Sequence, residues 1–123
     1  MKDKQTVVVV GATNKPDRYS HKVVAALKKH GHRVIPINPA LDSIEDTKVV
    51  HSLSEIDTAV DTITMYVGPR RGETLVDEIL RVHPKRVILN PGTESDKITQ
   101  RLSEENIEVV QGCTLVMLAT NQF

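Results

Sequence analysis

At 123 residues the chain can enclose one hydrophobic core and is too short for two, so one domain over 1–123 is expected. Sixteen basic residues balance sixteen acidic ones, which leaves no global field to gather nucleic acid or an acidic membrane surface. One Phe, two Tyr and no Trp exclude the stacking platforms of single-stranded nucleic-acid binders, and one cysteine, Cys113, excludes an intrachain disulfide framework and points to the cytoplasm.

Residues 1–6 carry basic side chains, but no apolar core long enough for a signal peptide follows them, and nothing approaches a membrane span. Residues 7–10, all valine, form a β-branched run without alternation, the pattern of a central parallel strand covered on both faces. From Ser20 the period becomes helical, with Val23, Val24 and Leu27 on one stripe, Lys28 and Lys29 on the other, and His30-Gly31 as the stop. Residues 33–37 read as a second strand, ended by Asn38-Pro39. Residues 40–54 read as an irregular excursion with a short strand near Val49-Val50.

A third main strand spans 61–67 and stops at Gly68-Pro69. A helix over about 71–82 turns Leu75, Val76, Ile79 and Leu80 inward and ends before Pro84. Strands at 86–89 and 107–110 bracket a helix over 95–105, for which Thr93 is the candidate cap. Such alternation predicts an α/β, Rossmann-like, doubly wound parallel sheet of about five strands with helices on both faces. Ligands of such sheets bind outside the carboxyl ends of the strands, which gathers four loops, 11–20, 38–41, 68–71 and 90–94, around one crevice.

The first of these loops carries the strongest chemical signal. Gly11 allows a tight turn and close ligand approach, while Ala12 and Thr13 keep the backbone accessible. Ser20 reads as the helix N-cap, at a terminus whose amides and dipole favour phosphate. Lys15, Arg18 and Lys22 add positive charge; singly each is more often a solvated surface group, but together after a first strand they favour binding. The G-x-G-x-x-G dinucleotide fingerprint is absent. Asn38-Pro39 also stands where an acid would clamp a ribose diol, which suits an adenine better and argues against a dehydrogenase.

With its first strand, Gly-Ala-Thr turn, Pro-x-Arg, serine, helix and "HGHRVIPINP", the segment "VVVVGATNKPDRYSHKVVAALKKHGHRVIPINP" resembles the start of the small stand-alone coenzyme A-binding proteins, whose fold is similar to the CoA-binding domain of succinyl-CoA synthetase. "TLVDEILRVHPKRVILNPGTES" and "SEENIEVVQGCTLVML" extend the likeness over nearly the whole chain. The resemblance implies that Gly11, Ala12 and Thr13 receive the diphosphate with Arg18, Ser20 and Lys22 near its oxygens. It implies that Asn38 and Pro39 flank the adenosine, opposite a wall of Tyr66, Val67 and Gly68. The chain departs from relatives in having Val67-Gly68 where basic residues often stand, and Asn90-Pro91-Gly92-Thr93 where others have Gln-x-Gly.

The expected function is therefore non-covalent binding of coenzyme A or an acyl-CoA, with that small molecule as the partner and neither nucleic acid nor membrane involved. A homodimer and a partner enzyme are both compatible with the sequence. Cys113, just after the fifth strand, offers the alternative of a small acyl-transfer or thiol-redox enzyme or subunit, although a lone cysteine is more often a small buried residue. A regulatory nucleotide-binding protein is the third reading. The five histidines stand in no metal or catalytic context, so no catalytic residue is assigned.

Overall fold

The run of four valines forms an interior strand of a parallel sheet, paired on both sides. The structure is a computed structural model that describes residues 4–123, so the first three of the opening residues 1–6 lie outside the described residues. In chain order it contains β1 (Thr6–Val10), α1 (Tyr19–Lys29), β2 (Arg33–Ile37), β3 (Ser43–Ile44), β4 (Thr47–Lys48) and a 3-10 turn (Leu53–Glu55). These are followed by β5 (Thr62–Met65), α2 (Pro69–Thr74), α3 (Val76–Val82), β6 (Arg86–Leu89), α4 (Asp96–Glu104), β7 (Glu108–Gln111) and α5 (Thr114–Ala119).

Among the described residues, five strands pair in parallel in the order β2-β1-β5-β6-β7, with Val8 opposite both Ile35 and Ile63. The order reverses between β1 and β5, because the chain first steps to one side through α1 and then returns to build outward on the other. The divergent connections leave a crevice above those two strand ends.

Each side of the sheet has its own apolar layer, and the strands supply both by alternation. Val8, Val10, Met65, Val87 and Leu89 pack with Val76 and Ile79 of α3 and with Ile98 and Leu102 of α4. Val7, Val9 and Ile88 pack with Val23, Val24 and Leu27 of α1 and Leu118 of α5. Leu27 is fully buried, so Leu27→Ala would cost about 2–5 kcal/mol. Phe123 closes the far end of this second layer, its ring 4.5 Å from the Arg86 guanidinium and 5.1 Å from the His32 ring.

Four local expectations are corrected. Helix α1 begins one residue before Ser20, with Arg18 at the N-cap and no side-chain capping bond. The helix expected over 71–82 starts at Pro69 and is divided at Leu75, where the chain tightens through a Leu75 N–H bond to Gly72 O. In the excursion, β3 and β4 form an antiparallel hairpin, while Val50 only bridges Ile37. Ser95, rather than Thr93, caps α4, accepting from Ile98 N at 3.2 Å.

Candidate functional site

Gly11 marks the turn from β1 into the loop, at φ +90°. A Cβ here would lie 2.9 Å from Val67 Cγ1 and 3.2 Å from the Tyr66 carbonyl carbon, so the absence of a side chain allows the loop to close against the end of β5. Ala12 N–H is spent on Ile37 O at 3.2 Å, which removes it as a phosphate donor. The amides of Thr13 and Asn14 donate to nothing among the described residues and stay available.

Asn38 organises the neighbouring loop. Its Nδ2 donates to Ala12 O at 2.9 Å, and its Oδ1 accepts from Ala40 N at 2.8 Å and Leu41 N at 3.0 Å. The side chain thus ties the end of β2 to the first loop. Its remaining polar capacity is one amide hydrogen.

Above these strand ends lies a cleft of about 470 Å³ lined by Gly11, Ala12, Thr13, Asn38, Pro39, Tyr66, Val67 and Gly68. All eight were singled out from sequence. Arg71, at the end of the 68–71 loop expected at the crevice, lines it too, and Val10, Ile37, Ser52, Leu53, Leu75 and Glu78, which were not assigned to the site, complete its walls together with His51. A second cavity of about 220 Å³ is lined by Arg18, Tyr19, Ser20, Tyr66, Gly68, Pro91, Gly92 and Thr93. Tyr66 and Gly68 belong to both, so the two spaces share wall residues at the end of β5.

The second cavity opens on the start of α1. Arg18 O already accepts from His21 N and Lys22 N, both at 3.0 Å, while the amides of Tyr19 and Ser20 have no partner among the described residues. No acid stands in the first turn, and Arg18 is exposed without an ion-pair partner among the described residues. Ser20 is buried here as a wall residue. Lys22 lines neither cavity; its ammonium lies 5.6 Å from the Tyr19 ring centroid.

A buried polar network underlies the rim. Asn90 Nδ2 donates to Thr64 Oγ1 at 2.7 Å and Met65 O at 2.8 Å, and its Oδ1 accepts from Thr114 N at 2.9 Å. Thr64 and Thr114 share a hydroxyl bond of 2.8 Å. These bonds fix the ends of β5 and β6 and the start of α5 to one another. Tyr66 Oη is buried beside them without a hydrogen bond of ordinary geometry. Burial pushes its pKa up to about 12, with the Thr114 and Thr64 hydroxyls pulling the other way, so it remains a neutral phenol at ordinary pH.

Cys113 is partly buried at the N-cap of α5 and lines neither cavity. No group of three metal-ligating side chains occurs among the described residues. None of their helices is long and apolar enough to cross a membrane.

The chain is 33% identical over 107 residues to the uncharacterized protein YneT of Bacillus subtilis, which covers 85% of this chain and 77% of YneT. A protein of Thermus thermophilus, cell-free ID.343, superposes with a TM-score of 0.89 at 28% identity, over 98% of this chain and 91% of its own. The dinucleotide-forming acetyl-coenzyme A synthetase 1 of Ca. Korarchaeum cryptofilum, at 20% identity, shares the fold with a TM-score of 0.76 over 88% of this chain and 26% of that one. The model of the CoA binding domain matches residues 5–119, nearly the whole described chain, and with the parallel sheet and the crevice at its strand reversal this places the protein in the CoA-binding domain family.

Proposed function

We propose that this protein binds coenzyme A or an acyl-CoA non-covalently, the adenosine in the larger cleft and the diphosphate toward the start of α1. The observation that carries this reading is the pair of cavities that share Tyr66 and Gly68 as wall residues. A nucleoside with a diphosphate suits two such neighbouring spaces, one with aliphatic walls and the other beside open amides and Arg18. In this reading Gly11, Thr13, Arg18 and Ser20 serve the phosphates. Ala12 and Asn38 set the loop that receives them, and Pro39, Tyr66, Val67 and Gly68 wall the nucleoside. Lys22 contributes charge at longer range. Membership of the CoA-binding domain family supports the ligand class.

Calorimetric titration with coenzyme A, its 3′-dephospho form and NAD tests the proposal. Coenzyme A is expected to bind at least tenfold more tightly than NAD, and Arg18→Ala to weaken it by about tenfold through loss of a charge-assisted contact. Equal weak binding of all three ligands refutes the reading.

A second reading is thiol chemistry at Cys113. It is favoured by the position of that residue at the head of α5. Cys113→Ser separates the two, because a thiol reaction would vanish while simple binding would survive.

A further inference from the structure

The larger cleft combines apolar walls with a carboxylate that the protein itself leaves underused. Val10, Ile37, Pro39, Leu53, Val67 and Leu75 offer aliphatic surface suited to the faces of a flat ring. Glu78, half-buried on α3, lines the same space. It takes part in no ion pair among the described residues.

Its recorded hydrogen bond comes from Ser52 Oγ at 3.4 Å, long beside the 2.5–2.7 Å usual for a hydroxyl on a carboxylate. Ser52 Oγ also lies 2.9 Å from Ser54 Oγ and accepts from Ser54 N at 3.2 Å, so that hydroxyl is mainly engaged within its own turn. Two other basic side chains line the cleft. Arg71 is exposed and unpaired among the described residues, while His51 Nε2 lies 3.1 Å from Leu41 O and 3.5 Å from Asp42 Oδ1. Neither forms an ion pair with Glu78 among the described residues. The carboxylate therefore keeps acceptor capacity for a neutral N–H donor.

We propose that Glu78 selects the base of the bound nucleotide: its carboxylate accepts a hydrogen bond from the exocyclic amine of a 6-aminopurine and excludes a 6-oxopurine. With the base in the same pose, the exocyclic carbonyl oxygen of a 6-oxopurine would take the place of the amine and face the carboxylate with no hydrogen between them, leaving two acceptors opposed in a partly desolvated space. This assignment rests on the coenzyme A reading of the cleft. It adds a residue and a direction of discrimination which that reading does not require.

The test is calorimetric titration of the intact protein with coenzyme A, its deaminated hypoxanthine analogue and 1,N6-etheno-coenzyme A, in which the amine hydrogens are gone. The native protein is expected to bind coenzyme A about tenfold or more tightly than either analogue. Glu78→Ala should reduce that ratio to near one. Glu78→Gln, whose amide can turn its donor toward a 6-oxo group, should narrow it to a few-fold while retaining the acceptor for the amine. Thermal unfolding of both variants checks that they are folded. Tight binding of all three ligands by the native protein, or an undiminished ratio in Glu78→Ala, overturns the role of Glu78 and leaves the coenzyme A reading standing. Failure of coenzyme A itself to bind overturns both.

Discussion

Gly11→Ala is the perturbation whose cost follows most directly from the geometry. At φ +90° an L-residue carries about 1–2 kcal/mol of backbone strain. The new methyl would sit 2.9 Å from Val67 Cγ1, 3.2 Å from Tyr66 C and 3.3 Å from Tyr66 O. Val67 can turn aside, but the Tyr66 backbone is held by its N–H bond to Val10 O at 2.9 Å and cannot retreat without opening the sheet. Overpacking of this kind costs about 1–3 kcal/mol, and reduced freedom in the unfolded chain returns about 0.4–1 kcal/mol. The net loss is about 1–5 kcal/mol, a sizeable share of the roughly 5–15 kcal/mol typical of a domain. Urea unfolding followed by circular dichroism should show a lower midpoint at unchanged slope, and coenzyme A affinity should fall because the same contact shapes the cleft. Gly68→Ala is the control for stability, since Gly68 has φ −60° and a Cβ there meets nothing within 4 Å. A Gly11→Ala protein as stable as Gly68→Ala would refute the reasoning.

Asn90→Ala should cost about 3–5 kcal/mol, read by the same unfolding assay, because it removes partners from the buried Thr64 hydroxyl, Met65 carbonyl and Thr114 amide together. Asn90→Asp should not rescue it, since an ionised carboxylate supplies no donor to the Met65 carbonyl. Burial, followed by the nearby charges of His30 and Arg86, lowers the pKa of His32, and its Nδ1 accepts from Gln5 N at 3.0 Å. The unfolded chain takes up that proton near about 6.5 and the folded protein resists it, so stability should fall as pH drops below that value. His32→Gln should flatten the dependence measured by thermal unfolding between about pH 7 and 5. Cys113→Ser should leave coenzyme A affinity within about twofold, measured by calorimetry; a larger loss would favour a thiol contact with the ligand.

The main strands were legible because β-branched runs covered on both faces have few other solutions, as residues 7–10 illustrate. The hairpin of β3 and β4 was not, because its turn is made by Glu45 and Asp46 at φ 49° and 59°, where sequence leads one to expect glycine or asparagine. Helix α5 escaped notice because it has six residues, an apolar sequence and no side-chain cap bond. The division at Leu75 keeps the helical hydrogen-bonding direction, so the apolar spacing runs through it unbroken. At the site, the loop beginning at Gly11 and the Asn38-Pro39 pair could be recognised from local chemistry. Ser52 and Glu78 could not, because they are 26 residues apart and only the tertiary fold brings them to one wall. Asn90 was visible as part of a turn, while its partners, 24 to 26 residues distant, were not.

The stretch from Thr114 to Phe123 is fastened twice, at opposite poles of the sheet. Its leading amide is held by Asn90 at the edge that bears the cleft, and the Phe123 ring is clasped by Arg86 and His32 at the other. Releasing either anchor leaves the other in place, so this strut resists local loosening. Proteases that attack loosened segments should therefore find little purchase between these two anchors.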